Sequence, residues 1–245
     1  MKIHFLGTGN ASNMSAKGHQ SILCQTKDSH FFVDFGPTAL LNSFRFNLNI
    51  NEISHLFLTH FHGDHSGGIP YLLLYHRDIL QRQTPFYFYG PAGIEKYLRN
   101  LIEANYPGTE FPFELIFEEI APEQEKYFMN NKLEVKAIAV DHRPESVGYR
   151  FNYSGQTLAI SGDTRFGPFM YELAKGAELF ISECSLFEEI SDKAHISPET
   201  VKSKFTTLDA RQIALIHSDA ATIKKLKQLD LEKMVYPEDG DYLEI

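Results

Sequence analysis

The sequence of 245 residues is poor in several residue types that define particular classes of protein. It has no tryptophan and only two cysteines, Cys24 and Cys184, each inside an apolar run. Two cysteines cannot build a disulfide-rich scaffold, and we predict two buried free thiols, which suits a reducing compartment. No low-complexity segment or Pro/Gly/Ser-rich linker interrupts the chain. We therefore interpret residues 1–245 as one domain.

Long hydrophobic runs and an excess of positive charge are also missing. No window approaches the roughly 20 apolar residues of a membrane-spanning helix, and the first seven residues are typical of a strand rather than a signal peptide. Lys and Arg number 23 against 32 Asp and Glu, a net charge of −9. This balance argues against broad binding of nucleic acid, which needs a basic face. The sequence favours a cytoplasmic protein without membrane contact.

Short apolar runs of strand length recur in both halves of the chain, with helical segments between them. Ser154-Gly155 is a tight-hairpin signal between two of these runs. Strands are predicted over residues 53–59, 134–140, 147–153, 156–161, 179–182 and 213–216. Two helices are predicted over 93–104 and 220–229. Two more are predicted to begin after N-cap residues, one after Thr38 and one after Ser197, which Pro198 follows. The pattern indicates helices that cover the outer faces of packed sheets.

The most informative segment is HFHGDH at residues 60–65, which follows the predicted strand 53–59. Zinc prefers imidazole nitrogen and carboxylate oxygen as ligands. A tight loop can point His60 and His62 at one ion and turn Asp64 and His65 to a second. A solvated polar loop is the plainer interpretation, but four potential ligands at this spacing after a strand favour a metal site.

Three further metal-type residues follow predicted strands. His142 comes after strand 134–140, Asp163 after strand 156–161, and His217 after strand 213–216. Each could be a surface or turn residue alone, and Asp163 beside Gly162 could be only a turn former. Together with the segment at 60–65 they indicate one site built on strand-end loops. We expect His4, His19, His30, His55 and His76 to be structural or surface residues.

With these residues in place, the sequence resembles the metallo-β-lactamase superfamily over nearly its whole length. Within it, the sequence is similar to the ribonuclease Z group of phosphodiesterases. The similarity includes HRPESVGYR at 142–150, SECSLF at 182–187 and AHIS at 194–197. The resemblance implies an α/β fold, a four-layer αββα sandwich of two mixed sheets flanked by helices. It implies metals at one edge of the two sheets.

The resemblance also implies the functional residues. One zinc would be held by His60, His62 and His142, a second by Asp64, His65 and His217, with Asp163 bridging the two. The catalytic residues would be Asp64, which orients metal-bound hydroxide, His195, which contacts the phosphate or leaving group, and Glu183, a partner to His195. The cofactor would be two Zn²⁺, with Mn²⁺ or iron as alternatives.

One departure from the ribonuclease Z pattern bears on the substrate. That group carries a long arm that holds transfer RNA, whereas here only the predicted hairpin over 147–161 lies between His142 and Asp163. The sequence therefore argues against transfer RNA. It favours a small cyclic or nucleotide phosphodiester, or a short RNA 3′ end.

Three other functions remain open at this point. A carbon-ester, thioester or lactone hydrolase could use the same scaffold, and His195 with Ser197 is the feature that favours phosphate. A redox di-iron protein of this fold typically has Glu at the position of His62. A binding module that lost its activity would not keep seven ligands.

The apolar run over residues 69–75 has two interpretations. We expect a core helix packed on a sheet. The alternative is a pocket lining or the face of a homodimer.

Overall fold

A computed structural model of the chain describes residues 1–12, 15–188 and 195–245. Ala194, the first residue of the AHIS segment, lies outside the described residues.

Among the described residues, seven strands form a first mixed sheet. Its strands β1 to β3 pair antiparallel, and β3 to β6 pair parallel. The order across the sheet is β14-β1-β2-β3-β4-β5-β6. The strands are β1 (Lys2–Gly7), β2 (Ser21–Gln25), β3 (His30–Phe35), β4 (His55–Phe57), β5 (Phe86–Gly90), β6 (Leu115–Glu119) and β14 (Tyr242–Glu244).

A second sheet repeats this arrangement with seven strands of the described chain, in the order β13-β12-β11-β10-β9-β8-β7. Strands β7 to β10 pair antiparallel, and β10 to β13 pair parallel. The strands are β7 (Glu125–Phe128), β8 (Leu133–Ala139), β9 (Val147–Tyr153), β10 (Gln156–Ile160), β11 (Ala177–Glu183), β12 (Ala210–Ile216) and β13 (Met234–Val235).

The predicted hairpin between β9 and β10 is confirmed. Tyr153 pairs with Gln156 across the turn. Ser154 and Gly155 both have positive φ, 54° and 82°, as a two-residue turn between twisted strands requires.

The core between the sheets comes from alternation along the strands. Phe31 and Val33 of β3 point to the interior between the sheets, whereas Phe32 belongs to a cluster on the outer face. In β11, Leu179 lies in the interior and Phe180 lies on the outer face. Because successive strand residues point to opposite faces, each sheet buries both of its faces.

Helices cover those outer faces. Side chains of α1, α3 and α4 pack on the first sheet, and those of α5, α6 and α7 pack on the second. The predicted four-layer αββα sandwich is therefore confirmed. The helices are α1 (Ala39–Arg45), α2 (Gly63–Ser66), α3 (Ile69–Leu74), α4 (Ile94–Asn105), α5 (Phe169–Ala174), α6 (Pro198–Lys204) and α7 (Ala220–Lys227).

The predicted helix starts have different outcomes. Ser197 caps α6 by accepting a hydrogen bond from the Thr200 amide, as predicted. Thr38 precedes α1 but makes no capping bond, and its hydroxyl accepts a hydrogen bond from the His19 amide instead. Thr38 therefore stands at the predicted N-cap position, and its carbonyl oxygen accepts from the Asn42 amide at 2.9 Å, but its side chain serves the neighbouring loop and does not cap the helix.

The apolar run at 69–75 begins with α3, whose Ile69, Leu72 and Leu73 are fully buried. The prediction of a core helix is confirmed. Within the described ranges, no helix is both long enough and apolar enough to cross a membrane.

Candidate metal centre

The segment HFHGDH lies just beyond β4 and turns directly into α2. His62 is extended, with φ −69° and ψ 149°, and stands at the start of the single-turn helix Gly63–Ser66. The His65 amide donates to the His62 carbonyl oxygen at 3.1 Å. Since the backbone changes from extended to helical at His62, the side chains before and after it face different directions. One loop thus serves two groups of ligand atoms.

The first group unites His60, His62, His142 and Asp163, whose ligand atoms all lie within 4.8 Å of one another. His142 Nε2 lies 3.1 Å from His62 Nδ1. His60 Nε2 and His142 Nε2 each lie 3.9 Å from Asp163 Oδ2. The structure therefore brings together the four residues expected at one metal.

The second group unites Asp64, His65, Asp163 and His217 within the same 4.8 Å limit. His217 Nε2 lies 3.1 Å from Asp64 Oδ2 and 3.3 Å from His65 Nε2. His65 Nε2 lies 3.2 Å from Asp163 Oδ1. Asp163 thus presents Oδ2 to the first group and Oδ1 to the second, the arrangement of a bridging carboxylate.

The residues in both groups fit a divalent cation of zinc size. Zinc bonds of about 2.1 Å in tetrahedral geometry separate neighbouring ligand atoms by about 3.4 Å, close to the nitrogen–nitrogen distances of 3.1 and 3.3 Å. His60 Nε2 is buried with no hydrogen-bond partner in the described chain. A buried polar atom without a partner is costly, and a bound cation would satisfy it.

Asp34 is a site residue to which the sequence analysis assigned no role. Its Oδ2 accepts a hydrogen bond from His65 Nδ1 at 2.7 Å, and its Oδ1 accepts one from the Thr59 amide at 2.9 Å. Asp34 is fully buried and has a φ of 56°. By accepting from Nδ1, it fixes the tautomer in which His65 Nε2 is free to bind a metal. The sequence feature that could have identified Asp34 is its position as the only carboxylate in the apolar strand HFFVDF, because a buried charge needs partners.

The electrostatics of the two groups are mutually dependent. Burial alone would lower the pKa of His65, but the carboxylates of Asp163 and Asp34 raise that pKa well above 6.5. Burial would raise the pKa of Asp163, yet His217 and His65 hold it well below 3.8. Burial and the neighbouring His65 lower the pKa of His60 well below 6.5. Neutral His60 and ionised Asp163 are in the protonation states that a metal needs, whereas His65 would release the proton of Nε2 when a cation binds.

His195 lies beside both groups. Its ring centroid is 5.0 Å from that of His142 and 6.2 Å from that of His217. Nδ1 pairs with Glu183 Oε1 at 2.8 Å. Burial would lower the pKa of His195, but the hydrogen bond to Glu183 raises it to about 9. The structure thus places a cationic donor next to the candidate metal positions.

Glu183, the last residue of β11, holds residues of two loops together: the loop after β10 and the connection from β11 to α6. Besides His195, its carboxylate accepts hydrogen bonds from the Thr164 amide at 2.7 Å and the Ser185 amide at 3.0 Å. Thr164 follows Asp163 directly, so Glu183 fixes the loop that carries the shared carboxylate. Its side chain is 2% exposed, and it acts from behind the other site residues.

The strand order explains why these distant residues meet. His142, Asp163 and His217 follow β8, β10 and β12, and the segment at 60–65 follows β4. Strands β8, β10 and β12 run in the same direction and therefore end at the same side of the second sheet, the side where α/β proteins form their crevices. The other histidines serve elsewhere. His76, for example, is buried and contacts Arg82 Nη1 at 3.1 Å, and His4 contacts Gln25 at 2.9 Å.

Comparisons with known proteins agree with this geometry. The family model described as anti-Pycsar protein Apyc1 matches residues 1–234. A ribonuclease Z from Listeria innocua is 27% identical over 279 residues, which cover 92% of this chain and 87% of that protein.

Two solved structures share the fold over the full chain. The short form of human tRNase Z has a TM-score of 0.82 and 23% identity, with 100% of this chain and 99% of the other covered. Zn²⁺-bound PqqB from Methylobacterium extorquens has a TM-score of 0.79 and 13% identity, with 100% of both chains covered. The architecture is the metallo-β-lactamase fold, in agreement with the resemblance seen in the sequence.

Proposed function

The chain belongs to the anti-Pycsar protein Apyc1 family, and from that membership and the geometry of the site we propose a specific activity. The protein is a hydrolase that holds two Zn²⁺ ions and cleaves a phosphodiester bond. Its substrate is a small cyclic or nucleotide phosphodiester, or a short RNA 3′ end. Mn²⁺ and iron are the alternative metals. That the protein forms a homodimer stays a prediction, as does the single domain over residues 1–245.

The ligand assignment follows the two groups of atoms. His60, His62 and His142 hold one ion, and the other is held by Asp64, His65 and His217, with Asp163 between the two. The donors are imidazoles and carboxylates, a set that suits zinc. When bound, two divalent cations lower the pKa of water and neutralise charge on the phosphoryl oxygens.

The chain's own residues then position the reactants. The Asp64 side chain is 9% exposed and its Oδ2 lies 3.1 Å from His217 Nε2. As a carboxylate next to the second group of ligand atoms, it can accept a hydrogen bond from the attacking water and orient it. His195, held through Nδ1 by Glu183, directs its other nitrogen away from that carboxylate. From there it can donate a proton to the leaving oxygen or stabilise the charged phosphoryl group.

The observation that carries the proposal is the pair of His195 and Glu183 beside both metal groups. Cleavage of a phosphodiester expels an alkoxide, which is a poor leaving group. A proton donor at the position of His195 can protonate the leaving oxygen and so favour its departure. An ester, thioester or lactone also uses the two metals but depends less on such a donor. His195 therefore favours phosphodiester chemistry over the other hydrolytic reactions of the fold.

The test compares substrate classes on one preparation of zinc-loaded protein. Bis(p-nitrophenyl) phosphate and a cyclic nucleotide are assayed beside a thioester and a lactone. We expect phosphodiester cleavage that chelation abolishes and that His195→Ala lowers about 100-fold, within the usual range for a general acid. His4→Ala, which removes a histidine paired to Gln25 outside the site, is the matched control and keeps full activity.

Two results would contradict the proposal. Turnover of the thioester or lactone without phosphodiester cleavage would agree with the proposed metal site but contradict the proposed phosphodiesterase reaction. Full zinc content and activity in His60→Ala would reject the ligand assignment.

A further inference from the structure

The C-terminal segment over residues 236–245 contacts the loop that precedes the metal centre. Strand β14 pairs with β1 at the edge of the first sheet, with Ile3 opposite Leu243. Just before it, the Gly240 amide donates to the Phe5 carbonyl oxygen at 2.8 Å. The segment therefore lies along β1 as that strand runs toward Thr8 and the loop over residues 8–18.

A single carboxylate in this segment holds both ends of that loop. Asp239 Oδ1 accepts hydrogen bonds from the Thr8 amide and the Thr8 hydroxyl, each at 2.9 Å. Asp239 Oδ2 accepts a third from the Gly18 amide. Beside it, Lys17 Nζ forms an ion pair with Glu238 Oε2 at 2.9 Å. Two consecutive acidic residues thus fix the loop.

The Thr8 end of the loop leads directly to a candidate metal ligand. The Thr8 carbonyl oxygen accepts a hydrogen bond from the Ser218 amide at 3.1 Å. Ser218 follows His217, whose backbone has a φ of 56°. That left-handed conformation is unfavourable for a residue with a Cβ and persists only where neighbouring contacts enforce it. The contact between Thr8 and Ser218 is one of those that enforce it.

The Gly18 end leads to the other side of the same group. Past Gly18, the Gln20 carbonyl oxygen accepts a hydrogen bond from the Gly36 amide at 3.0 Å. Gly36 packs so closely on the Asp64 carbonyl oxygen that a Cβ there would clash with it. The backbone that Asp239 holds at Gly18 therefore supports the backbone that carries Asp64.

We propose that Asp239 is a positioning residue for the second metal group, which contains Asp64 and His217. Its three hydrogen bonds hold the two backbones that lead to these ligands, and in the part of the chain that the structure describes none of them reaches the segments that carry His60 or His142. Asp239 lies beyond the 234 residues that match the family. The inference rests on the proposed function, because it presumes that the groups bind metal.

The test is a zinc titration of metal-free protein by calorimetry, with bound zinc counted after dialysis. In Asp239→Asn the new Nδ2 must face the donors of Thr8 or Gly18, so one end of the loop loses its acceptor. We expect the second zinc to bind about tenfold more weakly, at the lower end of the effect of outer partners on metal affinity. The first zinc binds as in the wild type.

Two further variants isolate the effect. Asp241→Asn is the matched control, because Asp241 Oδ2 accepts from the Glu238 amide within the same segment, and we expect no change in either affinity. Thr8→Val keeps the amide donor and loses the hydroxyl donor. It should weaken the second zinc by less than Asp239→Asn does.

Each remaining outcome is decisive. Unchanged zinc affinities in Asp239→Asn overturn the inference. An equal loss of zinc affinity at both groups, together with a lower melting temperature of the metal-free protein, also overturns it, because that result indicates a purely structural contact. If the wild type binds no zinc, the proposed function fails first, and this result is distinct from either of the others.

Discussion

At the scale of single residues, the contact between His195 and Glu183 determines the charge next to the metal groups. The imidazole is 22% exposed and the carboxylate 1% exposed, so the pair lies between solvent and the interior. Burial favours the neutral imidazole and by itself would lower the pKa of His195. The hydrogen bond to Glu183 has the larger effect in the opposite direction and raises that pKa to about 9. Because that pKa is raised, His195 keeps its proton at neutral pH and loses it as the pH rises.

This leads to a prediction about pH. If His195 donates its proton in the reaction, activity falls on the alkaline side as His195 deprotonates. Glu183→Gln removes the carboxylate that raises the pKa and leaves the burial that lowers it. We expect the alkaline fall in kcat to move to lower pH in this variant, toward the ordinary histidine value of 6.5.

The measurement is kcat against pH for zinc-loaded wild type and Glu183→Gln, with zinc content checked at each pH. Glu178→Gln is the control, since Glu178 lies on the same strand and accepts from the Thr157 amide away from the site. An alkaline fall at the same pH in wild type and Glu183→Gln would show that His195 is not the group that titrates.

At the scale of elements, the site depends on where strands and helices begin and end. Helix α6 begins three residues after His195, and the Oγ of its cap Ser197 accepts a hydrogen bond from the Thr200 amide at 3.2 Å. Pro198 in the first helical position adds a fixed φ. The start of this helix therefore also fixes the segment that carries His195.

We predict that Ser197→Ala lowers the free energy of unfolding by about 1 kcal/mol, the typical cost of a lost N-cap. Ser203→Ala is the matched control on the same helix, because Ser203 is exposed and its hydroxyl donates to the Thr200 carbonyl oxygen at 3.3 Å without capping the helix. Urea denaturation of both variants measures the difference. Equal stability of the two variants would mean that the cap contributes nothing.

At the scale of the whole molecule, the candidate metal centre takes its residues from both sheets. His60, His62, Asp64 and His65 follow β4 of the first sheet, and the ligands over residues 142–217 follow strands of the second. Other contacts cross at the same place: Tyr149 donates to the Leu58 carbonyl oxygen at 2.7 Å, and the Val147 amide donates to that of Thr59 at 3.0 Å. A bound cation would add a further link between the halves of the sandwich.

We therefore predict that zinc stabilises the fold. At free zinc 100 times the dissociation constant, each ion should add about 2.7 kcal/mol to the free energy of unfolding. Melting temperature measured with zinc and with chelator checks this, and Asp163→Ala, which lacks the shared carboxylate, should lose most of the gain. A melting temperature that zinc leaves unchanged in the wild type would contradict a cation between the sheets.

The prediction of the fold from sequence was uneven for physical reasons. Strands such as β9 were predicted with their observed bounds, because alternation and a tight turn are local signals. Strand β4 is shorter than the predicted 53–59, since only His55–Phe57 pair with neighbours. Strand β5, with the sequence FYFYG, lay outside every predicted strand, because a short apolar run has no periodicity that separates strand from helix.

The sequence by itself determined the kinds of ligand and their local spacing. The loop over residues 60–65 can present ligands to two metal positions. Three further candidate ligands, His142, Asp163 and His217, each follow an apolar strand. The tertiary structure added the distances at which these residues meet, the separate oxygens that Asp163 presents to the two groups, and the contacts of Asp34 with His65 and of Glu183 with His195. Distances between residues far apart in the chain depend on strand order and on the packing of the two sheets, which local sequence does not specify.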